Sequence, residues 1–207
     1  MNYPPVYHAL SHAEVARTLR AGGIGVAPTD TLYGIIGLAL SKRSVERMYR
    51  VRERDRGKPF IVLIARVDDL KLFGIVPTAF QKKVCSTLWP GKISMAMPCA
   101  SKKFFYLHRG TKSIACRIPR HKGMLKLLTQ TGPLVAPSAN PQGKNPALTI
   151  ADAQRYFGSR VDFYVDAGRK RSKPSTLMVL EKHSARVIRS GAVALSDELC
   201  KNFKIIK

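Results

Sequence analysis

Short apolar runs of strand length recur along this chain, and most of them end abruptly in polar residues. The first covers residues 24–27 and runs straight into Pro28-Thr29-Asp30-Thr31-Leu32-Tyr33-Gly34. A run that is apolar at every position and bounded by Gly or Pro reads as a strand buried on both faces. Residues 35–40, 60–64, 93–97, 113–118 and 134–137 repeat the pattern, and 163–165, 177–180 and 187–188 are shorter versions. A chain with this many buried strands needs cover for its sheet.

Helical patterns between the runs supply that cover. Ser11 and Glu14 have capping-box spacing ahead of Ala13, Ala16 and Leu19, and Gly22-Gly23 ends that helix. Ser41 caps a second helix with Val45, Met48 and Tyr49 inward, and Gly57 and Pro59 stop it. Phe80, Val84 and Leu88 predict a helix over 78–88 that ends at Trp89-Pro90-Gly91. Met124, Leu125, Leu127 and Leu128 predict another over 121–131, and Thr149 with Asp152 caps one before Ala153, Tyr156 and Phe157. The alternation argues an α/β sheet with helices packed on it. No internal repeat is visible, and 207 residues suit one domain over 1–207, with 192–207 as a basic C-terminal tail of no predicted role.

The charge balance is lopsided: 36 Lys and Arg face 13 Asp and Glu, a formal charge of +23. Residues 70–151 contain no Asp or Glu and thirteen Lys or Arg. Such a field concentrates anions, phosphates above all. A generally basic, solvated surface is the plain alternative.

The four cysteines are Cys85, Cys99, Cys116 and Cys200. None stands in a CxxC pair, so zinc-ribbon spacing is absent and buried thiols in a reduced, cytoplasmic protein are expected. Residues 1–12 show no basic-then-apolar leader pattern. The longest stretch low in charge, 21–41, holds Pro28, Asp30 and five glycines, which excludes it as a membrane span.

Five segments place polar residues where buried strands end: 29–33, 52–58, Arg117, 138–140, and Ser175-Thr176 with Arg189. Ligands of α/β folds gather at such strand ends. Singly each has a dull reading. Thr29 or Asp30 can close a turn on nearby N–H groups, Ser138 and Asn140 are turn formers, and Arg117 and Arg189 suit a surface.

Taken together, the motifs carry a resemblance. They are Pro28-Thr29-Asp30-Thr31-Leu32-Tyr33-Gly34, Arg52-Glu53-Arg54 ahead of Lys58-Pro59-Phe60, and Trp89-Pro90-Gly91 with Ser94. Arg117-Ile118-Pro119-Arg120-His121, Ala136-Pro137-Ser138-Ala139-Asn140 with Gly143, Pro174-Ser175-Thr176 and Ile188-Arg189-Ser190-Gly191 follow in order, so that the set spans residues 11–191. The chain resembles the YrdC-like threonylcarbamoyl-AMP synthases.

The resemblance implies a twisted mixed sheet with helices packed on it and a large basic concave cavity. It implies a reaction in which L-threonine and bicarbonate form a carbamate that ATP adenylates, with Mg²⁺ accompanying ATP and no protein-bound metal; the metal's ligands stay open. The product serves a tRNA adenosine beside the anticodon, directly or through tRNA threonylcarbamoyl-transferase partner proteins, with no membrane involved. By the same resemblance Thr29, Thr31, Tyr33, Arg117 and Ser175 bind threonine. Arg52, Arg54, Ser138 and Asn140 are the catalytic set. Arg54, Lys58, Ser138, Asn140, Asn145 and Arg189 bind ATP. The family's Lys-x-Arg is Arg52-Glu53-Arg54 here, Asp55 stands where proline is common, Lys92 where proline is frequent, Ser94 for a threonine and Asn145 for a serine. Larger members carry an added C-terminal domain; the catalytic domain alone is expected here.

The chemistry fits those residue types. A carbamate and a triphosphate repel, and fixed cations and N–H donors must hold them for in-line attack. The nucleophile is already anionic, so no tuned general base is needed. Ser138 as a hydrolase nucleophile is disfavoured, since no G-x-S-x-G elbow surrounds it. The competing reading is a non-catalytic YrdC-like RNA-binding protein using the same basic cavity, with Phe104, Phe105 and Tyr106 as stacking rings or a loop clamp.

Overall fold

The computed structural model describes residues 3–203 and 205–206. Its strands are β1 (Val6–Tyr7), β2 (Ile24–Pro28), β3 (Tyr33–Leu38), β4 (Val62–Leu63), β5 (Ile93–Pro98) and β6 (Ser113–Arg117). They continue with β7 (Leu134–Val135), β8 (Phe163–Val165), β9 (Thr176–Leu180), β10 (Ala185–Arg189) and β11 (Ile205–Ile206). All eleven join one mixed sheet in the order β1-β8-β2-β3-β7-β4-β6-β5-β9-β10-β11. The helices are α1 (Ala13–Arg20), α2 (Lys42–Val51), α3 (Ala79–Leu88), α4 (Phe105–His108), α5 (Lys122–Thr131), α6 (Ile150–Phe157) and α7 (Asp197–Asn202).

The uniformly apolar strands follow from two cores, one on each face. Successive strand residues alternate between them, as strand geometry requires. Val26, Ile35, Val62, Val135 and Tyr164 join the larger core. Their neighbours Ala27, Ile36, Leu63, Leu134 and Phe163 join the smaller one, which α1 and α5 close with Leu19, Met124 and Leu127. Cys85, Cys99 and Cys116 are buried free thiols, as expected, and Cys200 is one as well. Among the described residues no helix is long and apolar enough to cross a membrane.

Most helix boundaries agree with the sequence reading, but α2 ends at Val51 with Arg52 as its C-cap, ahead of Gly57 and Pro59. Ser41 caps α2 through Ser44 N, and the Thr78–Gln81 and Thr149–Asp152 capping boxes form at α3 and α6. α1 differs. Its N-cap is His12, whose Nδ1 accepts from Glu14 N at 3.3 Å, and the Glu14 carboxylate turns to Arg17 instead of closing a box on Ser11. The tail differs too. Ile205 and Ile206 pair in parallel with Ala185 and Arg186, and Leu195, Cys200, Phe203 and Ile205 enter the larger core. Two-residue strands such as β1 and β11 are too short to show a period, and only sheet pairing reveals them.

The N-cap of α5 is His121, whose Nδ1 accepts from Met124 N at 3.1 Å. Burial, and then the Lys170 charge, hold its pKa below the ordinary 6.5. A depressed histidine stabilises the fold above its unfolded pKa, and that contribution is lost as pH falls through the folded value. His121→Asn keeps a cap acceptor without a titrating group. The melting temperature of wild type relative to His121→Asn is therefore expected to drop as pH falls below about 6.5. A gap independent of pH between 7.5 and 5 contradicts this.

Candidate active site

The site is built where loops leave the sheet. Between β2 and β3, Thr29 Oγ1 donates to Leu32 O at 2.7 Å and accepts from Thr31 N at 3.1 Å. That closes the turn and frees Asp30 for a distant partner. Asp30 pairs with Arg117 at the end of β6, Oδ1 to Nη2 at 3.2 Å, and both side chains are under 5% exposed (2% and 4%). Its other oxygen accepts from Arg120 N at 3.1 Å. The contact with Arg117 is ionic rather than a formed hydrogen bond: Asp30 Oδ1 and Arg117 Nε have no hydrogen-bond partner within the chain.

The segment after β7 lies against the same loop. Ala139 N donates to Tyr33 O, Ile35 N donates to Pro137 O, and Ser138 bridges to Gly34. A Cβ on Gly34 would stand 3.0 Å from Pro137 O, so a side chain there would press that carbonyl back by a few tenths of an ångström. Arg52, the C-cap of α2, reaches this segment. Its Nε donates to Asn140 O at 2.9 Å, and its Nη2 reaches Asn140 Oδ1 at 3.2 Å and Ser138 Oγ at 3.4 Å. Burial, then the charge of Arg54, lower the Arg52 pKa to about 10, which leaves it cationic at neutral pH. Burial lowers Arg54 also. Both guanidiniums lie over the Phe60 ring, at 5.8 and 5.5 Å from its centroid.

The far wall comes from β9 and β10. Ser175 Oγ is 2.9 Å from Ser94 Oγ of β5, and Arg189 Nη2 donates to Ser175 O at 2.9 Å. Thr176 Oγ1 donates to Val193 O at 2.6 Å, and Ala192 N donates to Pro174 O. A Cβ on Gly191 would fall 2.4 Å from Pro174 O, so only glycine allows this return of the chain.

These walls enclose one cavity of about 450 Å³. Thr29, Thr31, Tyr33, Arg52, Arg54, Arg117, Ser138, Ser175 and Arg189 all line it, with no carboxylate among the described lining residues. Nine of the residues singled out in the sequence thus meet. Three do not reach the lining. Asn140 is buried behind it, its Nδ2 donating to Pro141 O and Lys144 O, so it holds Arg52 and the loop. Lys58 is exposed, 3.9 Å from Asp55, and Asn145 is exposed. Tyr33 lines the cavity, but its hydroxyl donates to Gly168 O at 2.7 Å and accepts from Ala167 N at 2.9 Å. Burial raises its pKa to about 12, so it remains a phenol. Phe104 and Tyr106 are buried core residues and only Phe105 is exposed, so this trio forms no stacking platform in the cavity. Sequence reading missed Asp30 as the partner of Arg117; with β3, β4, β5 and nearly all of β6 between them along the chain, nothing local gave a sign of the pairing.

The Sua5_yciO_yrdC family model, described as "Telomere recombination", matches residues 17–191. The chain belongs to this family. Among curated relatives, the threonylcarbamoyl-AMP synthase of Marinobacter nauticus is 32% identical over 74% of this chain and 82% of its own. That of Thiobacillus denitrificans is 32% identical over 78% and 87%. The Sua5 of Pyrococcus abyssi, solved in complex with L-threonine, superposes with a TM-score of 0.85 at 25% identity over 95% of this chain; the chain spans 60% of that protein's length. YciO of E. coli, at 21% identity and a TM-score of 0.81 over 98% of this chain and 100% of its own, shares the fold.

Gly191→Ala tests the far wall. The added methyl must displace Pro174 and Ser175, so a loss of about 1–3 kcal/mol in stability is expected by chemical denaturation, together with weaker retention of whatever anion Arg189 meets. An unmoved denaturation midpoint would show that the β9–β10 return is looser than drawn.

Proposed function

We propose that the chain condenses L-threonine, bicarbonate and ATP into threonylcarbamoyl-AMP and pyrophosphate, supplying the threonylcarbamoyl group of a tRNA adenosine beside the anticodon. One observation carries this reading: four arginines from three separate segments meet threonine and serine hydroxyls in a single cavity without a carboxylate among its described lining residues. The threonine complex of the Pyrococcus relative supports it.

The threonine nitrogen takes up bicarbonate with loss of water to give a carbamate. A carbamate oxygen then attacks the α-phosphorus of ATP, the bond to the bridging oxygen breaks, and pyrophosphate leaves with its electron pair. In this reading Arg117 meets the threonine carboxylate, and Thr29, Thr31 and Ser175 surround the amino acid. Tyr33 shapes that pocket through its ring and main chain. Arg52 and Arg54, with the Ser138 hydroxyl, hold the carbamate and the α-phosphate together in the geometry of attack. Asn140 is the positioning residue for Arg52. Arg189 meets the nucleotide, and Lys58 and Asn145 are outer contacts of its phosphates.

Magnesium, entering with ATP, neutralises phosphate charge when bound. The described residues contain no group of three His, Cys, Asp or Glu fit to hold a metal ion, and the cavity wall offers hydroxyls and guanidiniums. That donor set suits a cation carried by the nucleotide. The product then passes to tRNA through partner transferases.

Pyrophosphate release from ATP with magnesium is expected to require threonine and bicarbonate together. Arg117→Lys keeps the charge but loses the planar fork, and should raise the KM for threonine at least about tenfold while leaving that for ATP within about twofold. Release no greater than in a no-threonine control, from folded protein, overturns the reading.

A further inference from the structure

A second cationic groove lies outside the cavity, between α2, the loop that follows it and α4. It measures about 490 Å³ and is bordered by Lys42, Arg50, Arg56, Lys102, Lys103 and Arg109, with Glu46 as its one acid. Glu46 is already engaged by Arg109 at 2.7 Å and Arg56 at 3.6 Å. The Arg109 side chain is 8% exposed and stands 4.1 Å above the Tyr49 ring, and its buried Nε has no partner in the chain. Across α2 a further groove of about 550 Å³ is bordered by Arg43, Arg47 and Arg50, so Arg50 belongs to both. The acid there, Asp162, is held by Arg47.

The ion pairs of the described residues include none of Lys42, Arg43, Arg50, Lys102 or Lys103. Two of these break a local rule. Lys42 and Arg43 occupy the first turn of α2, which contains no acid, and the macrodipole disfavours cations there. Residues that lower helix stability without an internal partner point to an external one. The band also carries a flat apolar ring, Phe105, 56% exposed at the groove's border.

We propose that this band on α2 and α4 is a binding surface for the sugar-phosphate backbone of RNA, with Phe105 as a stacking ring for an unpaired base. Unmatched cations run from Lys42 to Arg50, about 12 Å along the helix at 1.5 Å per residue, and continue onto Lys102 and Lys103. That is longer than one phosphate, and several successive phosphates match it. A protein partner would instead be expected to meet a cluster of apolar anchors at the centre of its interface, and Phe105 is the one large exposed apolar side chain bordering this groove. The surface is distinct from the cavity of the proposed reaction and does not depend on that reading.

The test is fluorescence anisotropy with a labelled, unmodified tRNA transcript over a series of salt concentrations. It compares wild type, Arg43→Ser/Arg50→Ser/Lys103→Ser, Phe105→Ala and Arg117→Ala. The substituted residues of the first two variants are exposed, and circular dichroism should show unchanged folding. The triple variant is expected to bind at least about tenfold more weakly at low salt, with the slope of log affinity against log salt reduced by about 2 to 3. Phe105→Ala should bind more weakly with the slope unchanged, and Arg117→Ala should bind as wild type. Unchanged affinity and slope in the triple variant overturn the proposal. So do loss of binding in Arg117→Ala alone with circular dichroism showing that variant folded, which places the RNA in the cavity, and displacement by polyglutamate as effective as displacement by unlabelled RNA, which makes the band a surface for acidic protein. Displacement by micromolar inorganic phosphate overturns it too, as a small-anion site.

Discussion

The buried pair of Asp30 and Arg117 sets the geometry on which the site depends. Both charges are almost wholly removed from water, and removing ions from water costs several kcal/mol each in real proteins. Their mutual attraction offsets that cost only while both are present; deleting one strands the other, at about 3–5 kcal/mol. The pair also spans distance. Asp30 lies in the loop from β2 to β3 and Arg117 ends β6, and β3, β7 and β4 stand between β2 and β6 in the sheet. An ion pair across that gap fixes the polar loop over the sheet ends, where its two threonines become cavity wall. Burial lowers the Arg117 pKa, and Asp30 works against that shift, so the pair also keeps the guanidinium charged.

The other arginines are held by a different device. Arg52, Arg54 and Arg189 donate to main-chain carbonyls of Asn140, Lys58 and Ser175. A carbonyl fixes the direction of a guanidinium without cancelling its charge. A carboxylate in the same place would neutralise the site before a substrate arrived. Like charges gathered in this way repel, and the lowered values of Arg52 and Arg54 reflect burial first. Such preorganised, unneutralised donors are what a reaction between two anions requires. A column of rings supports them from below: Phe60 stacks on Tyr49 at 4.1 Å, and Arg109 lies on the far side of Tyr49. The same column thus braces both cationic surfaces.

What could be read in the sequence depended on how local the signal is. The runs at 24–27, 35–40 and 134–137 show as strands because each side chain enters one of two cores, so every position is apolar. Caps such as Ser41 and Thr149 are legible because a cap is made within four residues. Ser11 misled because the capping pattern competes with an equally local Glu14–Arg17 contact. The tail strand at Ile205 was hidden because pairing with β10, not its own period, makes it a strand. The same holds for the site. Thr29, Arg52, Arg117, Ser138, Ser175 and Arg189 stood out at strand ends and converge. The attachment of Asp30 to Arg117, and the withdrawal of Asn140 behind the wall, are products of three-dimensional contact with no local trace.

Asn140 also explains the arginine at position 52, where the resemblance implies a lysine. The Arg52 fork reaches two acceptors of one residue, the Asn140 carbonyl at 2.9 Å and its Oδ1 at 3.2 Å, and the same Nη2 stands 3.4 Å from Ser138 Oγ. A planar guanidinium can address both directions from one rigid group, whereas a lysine carries a single point charge on a flexible stem. Asn140 in turn is fixed by donating to Pro141 O and Lys144 O. The chain from Lys144 through Asn140 to Arg52 therefore behaves as one braced unit at the cavity wall. At this position arginine keeps the cation, and its two-pronged attachment to Asn140 holds the guanidinium in place.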